Sequence, residues 1–227
     1  MAYQNFKLII ATVSLTAGLA ARGQDVYVDN SAATQNAYIN SHINGLVLKN
    51  VAGKDIGNGY IAETYLTYNP SVKIRDRAVD RMISKSKINA STAAAMRKTN
   101  INELFDKINA VYNLKHDDAA DILTAYQVLN WQIANNVSSS KPAPVNAYRN
   151  LIISVLQKNR EIARDAGNRA MLGEETKITF LMLYSEWQNA KKAGKAKAFS
   201  DQLNQEYQKQ NKLNLRALKL DEKGLHQ

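Results

Sequence analysis

Ala119–Asn136 reads Ala-Ala-Asp-Ile-Leu-Thr-Ala-Tyr-Gln-Val-Leu-Asn-Trp-Gln-Ile-Ala-Asn-Asn, and the fold class follows from how that stretch winds. At roughly 100° per residue, Leu129, Ile122, Ile133, Tyr126, Ala119, Leu123 and Ala134 fall inside an arc of about 140°. Val128 and Trp131 lie outside it, so a second face also needs cover. A helix apolar on most sides belongs in the middle of a domain. Asn130 breaks the pattern by sitting inside the apolar arc. A buried amide left unsatisfied costs about 1–3 kcal/mol. Asn130, with Tyr126 and Trp131 around it, is therefore expected in a structural hydrogen-bond network that fixes this helix against its neighbours.

Working outward, amphipathic stripes flank this helix on both sides. Asn69-Pro70-Ser71 marks a helix start, with Val72, Val79, Met82 and Ile83 as its apolar face and Arg75 at the margin. Ser91–Lys98 is Ala-rich, either a short helix of its own or the lead-in to the next. Asn100 with Glu103 three residues on has the form of a capping box, followed by the stripe Ile101, Leu104, Phe105, Ile108, Val111 and Tyr112. Asp117 and Asp118 stand where acids suit the dipole of the central helix. Ser138–Pro144 is the clearest break in the chain and reads as an interhelical loop, because both sides carry apolar faces that need partners. Val145, Tyr148, Leu151, Ile152, Val155, Leu156, Ile162 and Ala163 form the next stripe, and Ala166-Gly167-Asn168 reads as its end. Ala170–Ala190 is another buried helix, stopped by Gly194. Phe199, Leu203 and Tyr207 mark a narrower stripe on a more exposed helix. The tail from Asn211 to Gln227 carries five leucines without a clear period. The expectation is an all-α fold: one multi-helix domain over 69–227, packed around a buried central helix.

The N-terminus reads differently. Met1–Lys7 carries one positive charge, Leu8–Ala20 is apolar, and Ala21-Arg22-Gly23 offers small residues at both positions a signal peptidase reads. Residues 1–23 are thus expected to be a signal peptide cleaved near Gly23. The apolar run falls short of the roughly 20 residues that span a bilayer. Residues 24–68 form a polar leader. Within it, Leu46–Val51 and Tyr60–Leu66 flank the turn dipeptide Asn58-Gly59 and suggest a small β-hairpin.

Composition narrows the function classes. The 227 residues carry 30 Lys+Arg against 20 Asp+Glu, a formal +10, and no cysteine. Without cysteine there can be no disulfide scaffold and no acylated lipoprotein, and core packing must hold the fold. Export without cysteine suits a bacterial periplasmic or secreted protein. The spread of positive charge favours anionic contacts without choosing among them. Nucleic acid is the least expected of these.

Chemistry-bearing motifs are sparse. His42, His116 and His226 lack metal-ligand spacing, and His116-Asp117-Asp118 is explained by helix capping as well as by a metal. No metal, cofactor or catalytic set is expected. Ala52–Gly59 is glycine-rich but lacks the Gly-Lys-Ser/Thr of a phosphate cradle. Glu103, Glu174, Glu175 and Glu186 are the carboxylates a lysozyme-like cell-wall hydrolase would draw on, but none falls on an apolar arc, and Glu174-Glu175 reads as solvated. Tyr207 with Lys209 and Lys212 is the one neighbourhood with the make-up of a stacking platform.

Leu66–Ser71, the helix Ala125–Asn135 (Ala-Tyr-x-Val-x-Asn-Trp-x-Ile-Ala-Asn) and the later long helices together resemble an exported bacterial family known only as a domain of unknown function. The likeness spans about Tyr65 to Leu225. It implies an all-helical exported domain and carries no activity, ligand or catalytic residue. The leading expectation is an exported non-catalytic protein that binds a protein or envelope component. The alternatives are a hydrolase using a Glu pair and a binder of anionic polymer through its basic surface.

Overall fold

A computed structural model describes residues 66–85 and 88–227, the Arg160 side chain excepted. The expected signal peptide, most of the expected leader and the hairpin expected within it lie outside the described residues. Helix α1 is Val72–Ser84, α2 Ala90–Lys98, α3 Ile101–Asn109, α4 Ala119–Ala134 and α5 Pro142–Lys158. Then come α6 Arg160–Arg164, α7 Ala166–Lys192 and α8 Ala196–Asn211. Single 3₁₀ turns cover Ala110–Tyr112 and Leu215–Ala217, and the strands β1 Lys219–Asp221 and β2 Gly224–His226 pair antiparallel. The chain is an all-α domain.

Helix α4 is its hub. Every residue from Ala119 to Ala134 except Trp131 is buried, and α4 packs against α5, α7 and α8. Two caps set its position. Asp118 accepts from the amides of Ala120 and Asp121 at 2.8 and 3.1 Å, which satisfies donors a helix start leaves free. At the far end the amide of Asn135 donates to the Trp131 carbonyl. The second long element, α7, runs for 27 residues and lies against both α4 and α1.

Helix boundaries follow capping more closely than apolar stripes. Asn100 accepts from the Glu103 amide at 3.4 Å and returns a hydrogen bond from its own amide to Glu103 Oε2, so the box expected there forms between the two side chains. Asn89 caps α2, which makes Ser91–Lys98 part of a separate helix. Ala166-Gly167-Asn168, expected to end a helix, begins one instead, because Asp165 accepts from the Asn168 amide at 2.8 Å. The stripe from Val145 to Ala163 is likewise divided at Asn159, which caps α6. Helix α1 buries Ala78, Val79 and Met82, whereas Val72 and Ile83, expected on its apolar face, are exposed.

Two short segments close the domain. Leu66–Tyr68 pairs with Asp117–Ala119: the Tyr68 amide donates to the Asp117 carbonyl at 2.9 Å and the Ala119 amide to the Leu66 carbonyl at 3.0 Å. The C-terminal hairpin packs on α5. Gly224 sits at φ +86, and a Cβ there would stand 3.0 Å from the Tyr148 backbone, so only glycine lets the turn approach the helix this closely. Buried Leu213, Leu215, Leu218 and Leu225 thereby find the cover they require.

Candidate functional site

Of the three residues expected in one network, Asn130 and Tyr126 interact within α4, and Trp131 reaches the C-terminal segment. Asn130 is fully buried, and its amide donates to the Tyr126 carbonyl within α4 at 2.7 Å. Its Oδ1 has no hydrogen-bond partner. Burial raises the Tyr126 hydroxyl above its ordinary range, opposed by a side-chain hydrogen bond with Asn130. Trp131 reaches outward, its indole N–H donating to the Leu218 carbonyl at 3.0 Å. Further ties from α4 to its neighbours come from Asp121, which pairs with Arg149 of α5, and from two glutamines. Gln127 Oε1 accepts from the Tyr207 hydroxyl on α8 at 2.7 Å, and Gln132 donates to the Tyr112 hydroxyl and to Ser140. Tyr207 is thus a buried tether, 1% exposed, and not the stacking surface its lysine neighbours suggested.

The densest polar cluster lies one layer away. Lys177 on α7 is completely buried, and its ammonium donates to Glu174 Oε1 at 2.8 Å, to the His116 carbonyl at 3.0 Å and to Asn102 Oδ1. Three protons meet three close acceptors. The Tyr68 hydroxyl donates to the same Glu174 oxygen at 2.9 Å and stands 3.4 Å from the ammonium. Burial pushes Lys177 down from the ordinary lysine range while Glu174 opposes that shift. Burial and the Glu174 charge together push the Tyr68 phenol up. Gly173 makes room for this ring, since a Cβ there would meet it at 2.5–2.7 Å.

Glu174 and Glu175, read from the sequence as solvated, are 1% and 5% exposed. The reason is tertiary. Helix α7 is covered on the sides that carry them, and each acid has a cation within reach: Lys177 one turn on, and Arg81 of α1, whose Nε lies 3.0 Å from Glu175 Oε1. That second contact lacks the alignment of a hydrogen bond. Glu103 is exposed and bound to Lys107, whose hydrogen bond and charge hold it below the usual carboxylate range. Glu186 is half-buried on α7. A glycosidase needs an acid and a second carboxylate that can both reach a sugar. Glu174, locked to an ammonium and a phenol out of solvent, offers no such face.

His116 Nδ1 lies 2.7 Å from Asp106 Oδ2, and Asp118 spends its carboxylate on the α4 cap. Among the described residues no three His, Asp or Glu side chains are grouped as a metal would require. His226 pairs with Asp221 across the hairpin turn. That hydrogen bond raises the imidazole above its usual range.

Over the buried cluster lies an open groove of about 430 Å³ between α1 and the start of α7, lined by Tyr68, Asn69, Ile74, Arg77, Arg81 and Met171 among others. It adjoins a second depression of about 380 Å³ that shares Arg77, Arg81 and Met171 and adds Asp80. Tyr68, Ile74, Ala170 and Met171 give the lining apolar surface, and Arg77 and Arg81 give it positive charge. Asp80 is engaged by Arg97, and Asp165 by the α7 amide it caps. Tyr68 belongs to both layers, lining the groove while its hydroxyl is anchored to Glu174. None of this was legible beforehand, since residues 68–81 and 165–171 meet only through the packing of α1 on α7. No family model, characterised protein or solved structure matches the chain.

Proposed function

We propose that this is an exported, non-catalytic bacterial protein, periplasmic or secreted, that binds a protein or envelope component through the groove between α1 and α7. The observation that carries the reading is that groove: apolar lining with a few charged groups among it is the usual make-up of a recognition site. Its lining residue Tyr68 is anchored to a buried ion pair, which limits the ordering cost of binding. Export rests on the signal-peptide pattern of Met1–Gly23, and the resemblance of the Ala125–Asn135 helix to an exported family of unknown function agrees with it. The hydrolase alternative is the weaker reading, because the buried Glu174 is committed to Lys177 and Tyr68.

Affinity capture from the cell envelope with the native chain and with Arg77→Glu tests the proposal. Arg77 is exposed, so the variant should fold. A component retained by the native chain and lost with Arg77→Glu is the expected result. Retention that ignores this change, or peptidoglycan hydrolysis abolished by Glu174→Gln, would overturn it.

A further inference from the structure

The tightest cluster of positive charge lies elsewhere, at the turn joining α7 to α8. Residues 191–197 read Lys-Lys-Ala-Gly-Lys-Ala-Lys, four lysines in seven residues with no acid among them. Lys192, Ala193, Gly194, Lys195 and Lys197 are exposed. A Cβ built on Gly194 would meet nothing within 4 Å, so the turn is open to solvent. Lys191 is held in place, its ammonium 3.7 Å from the centre of the Trp187 ring. The nearest acid in sequence, Asp201, is shared between Lys197 and Arg216, so two cations bracket one carboxylate and the excess remains.

Helix stability accounts for three of these four lysines. Lys191 and Lys192 sit in the last turn of α7, where cations complement the dipole. Lys195 is at the N-cap of α8 and Lys197 in its first turn, where the dipole disfavours a positive charge, but Lys197 is offset by Asp201 one turn on. No side chain caps that end and no acid lies in its first turn. Folding alone favours Ser, Asp or Asn at such a cap. Helix stability therefore gives no account of Lys195.

We infer that this lysine turn is an adsorption site for a surface of anionic phospholipid headgroups. A short exposed turn with four close-set lysines touches a plane more readily than it lines up along a polymer strand. Its intervening residues are Ala and Gly, with no large apolar side chain to insert. Contact is therefore electrostatic, reversible and salt-sensitive, acting over a screening length of about 8 Å at physiological ionic strength. This site lies apart from the α1–α7 groove and does not depend on it.

Co-sedimentation of the purified chain with phosphatidylcholine vesicles, with and without phosphatidylglycerol, tests the assignment. Three forms are compared: the native chain; Lys191, Lys192, Lys195 and Lys197 all changed to Gln; and a control in which exposed Lys73, Lys98, Lys158 and Lys209 are changed instead. The control loses the same charge at dispersed places. The apolar Leu8–Ala20 run is common to all three, so only differences between them are read. Lysines near an anionic membrane each contribute about a fivefold gain in partitioning. The turn variant should therefore lose roughly a hundredfold or more in binding to phosphatidylglycerol vesicles, while the control retains most of it. Equal loss in both variants, or no loss in either, overturns the inference. So does binding of the native chain to polyphosphate without binding to the vesicles.

Discussion

Replacing Lys177 with Met removes the ammonium at the centre of the buried cluster and keeps a side chain of similar length. The native side chain is 0% exposed and that of Glu174 1%, so solvent cannot compensate for the missing charge. The carboxylate keeps only the Tyr68 hydroxyl among its described partners, and the Asn102 oxygen and the His116 carbonyl each lose a donor. Removing one partner of a buried pair costs about 3–5 kcal/mol. For a domain of this size, each kcal/mol lowers Tm by about 2–4 °C, a fall of roughly 6–20 °C. Total stabilities of about 5–15 kcal/mol leave the variant folded in the cold. The double variant Lys177→Met with Glu174→Leu removes the orphaned charge as well and should regain most of the loss. Urea unfolding followed by far-UV circular dichroism measures both. A single variant within about 1 kcal/mol of the native chain, or a double variant less stable than the single, would refute the account of this cluster as a mutually dependent pair.

Two further tests reach neighbouring features. Burial, then the Asp121 charge, pushes the Asp118 carboxyl up to about 6 from 3.8. A carboxyl that holds its proton more tightly in the folded state contributes stability at low pH that is lost as pH rises from about 4 through 6. Asp118→Asn keeps the cap without titrating, so its stability relative to the native chain should grow between pH 4 and pH 7 by up to about 3 kcal/mol. Urea midpoints across that range measure it, and a flat difference would defeat the assignment. Gly173→Ala drives a methyl group into a Tyr68 ring anchored through its hydroxyl, and should cost about 1–3 kcal/mol in thermal or urea unfolding. A neutral outcome would mean the ring yields more easily than its anchoring implies.

The periodicity of Ala119–Asn136 was enough to place α4 at the centre, because a helix apolar on most sides has few other places to go. The capping residues Asn100 and Asp118 were legible for the same local reason. Long-range partners were not. Glu174 and Glu175 are off any apolar arc, and only the packing of α1 and the loop at His116 over α7 buries them. Ala166-Gly167-Asn168 carries the composition of a helix end, yet Asp165 ahead of it decides the direction. The hairpin at 219–226 is too short for a periodic signal, and it depends on α5 for cover. The groove combines residues about a hundred positions apart, which no reading of spacing can join.

The pairing of Leu66–Tyr68 with Asp117–Ala119 also has a mechanical side. Traction applied to the chain ahead of Leu66 would fall first on two backbone hydrogen bonds and on a phenol rooted in the interior. The load would pass directly to the N-terminal end of α4 and the middle of α7 without being absorbed by a slack loop. Such an attachment makes the first described residues the handle of the domain, and the Lys177–Glu174 pair the rivet that the handle must shear before the helices separate.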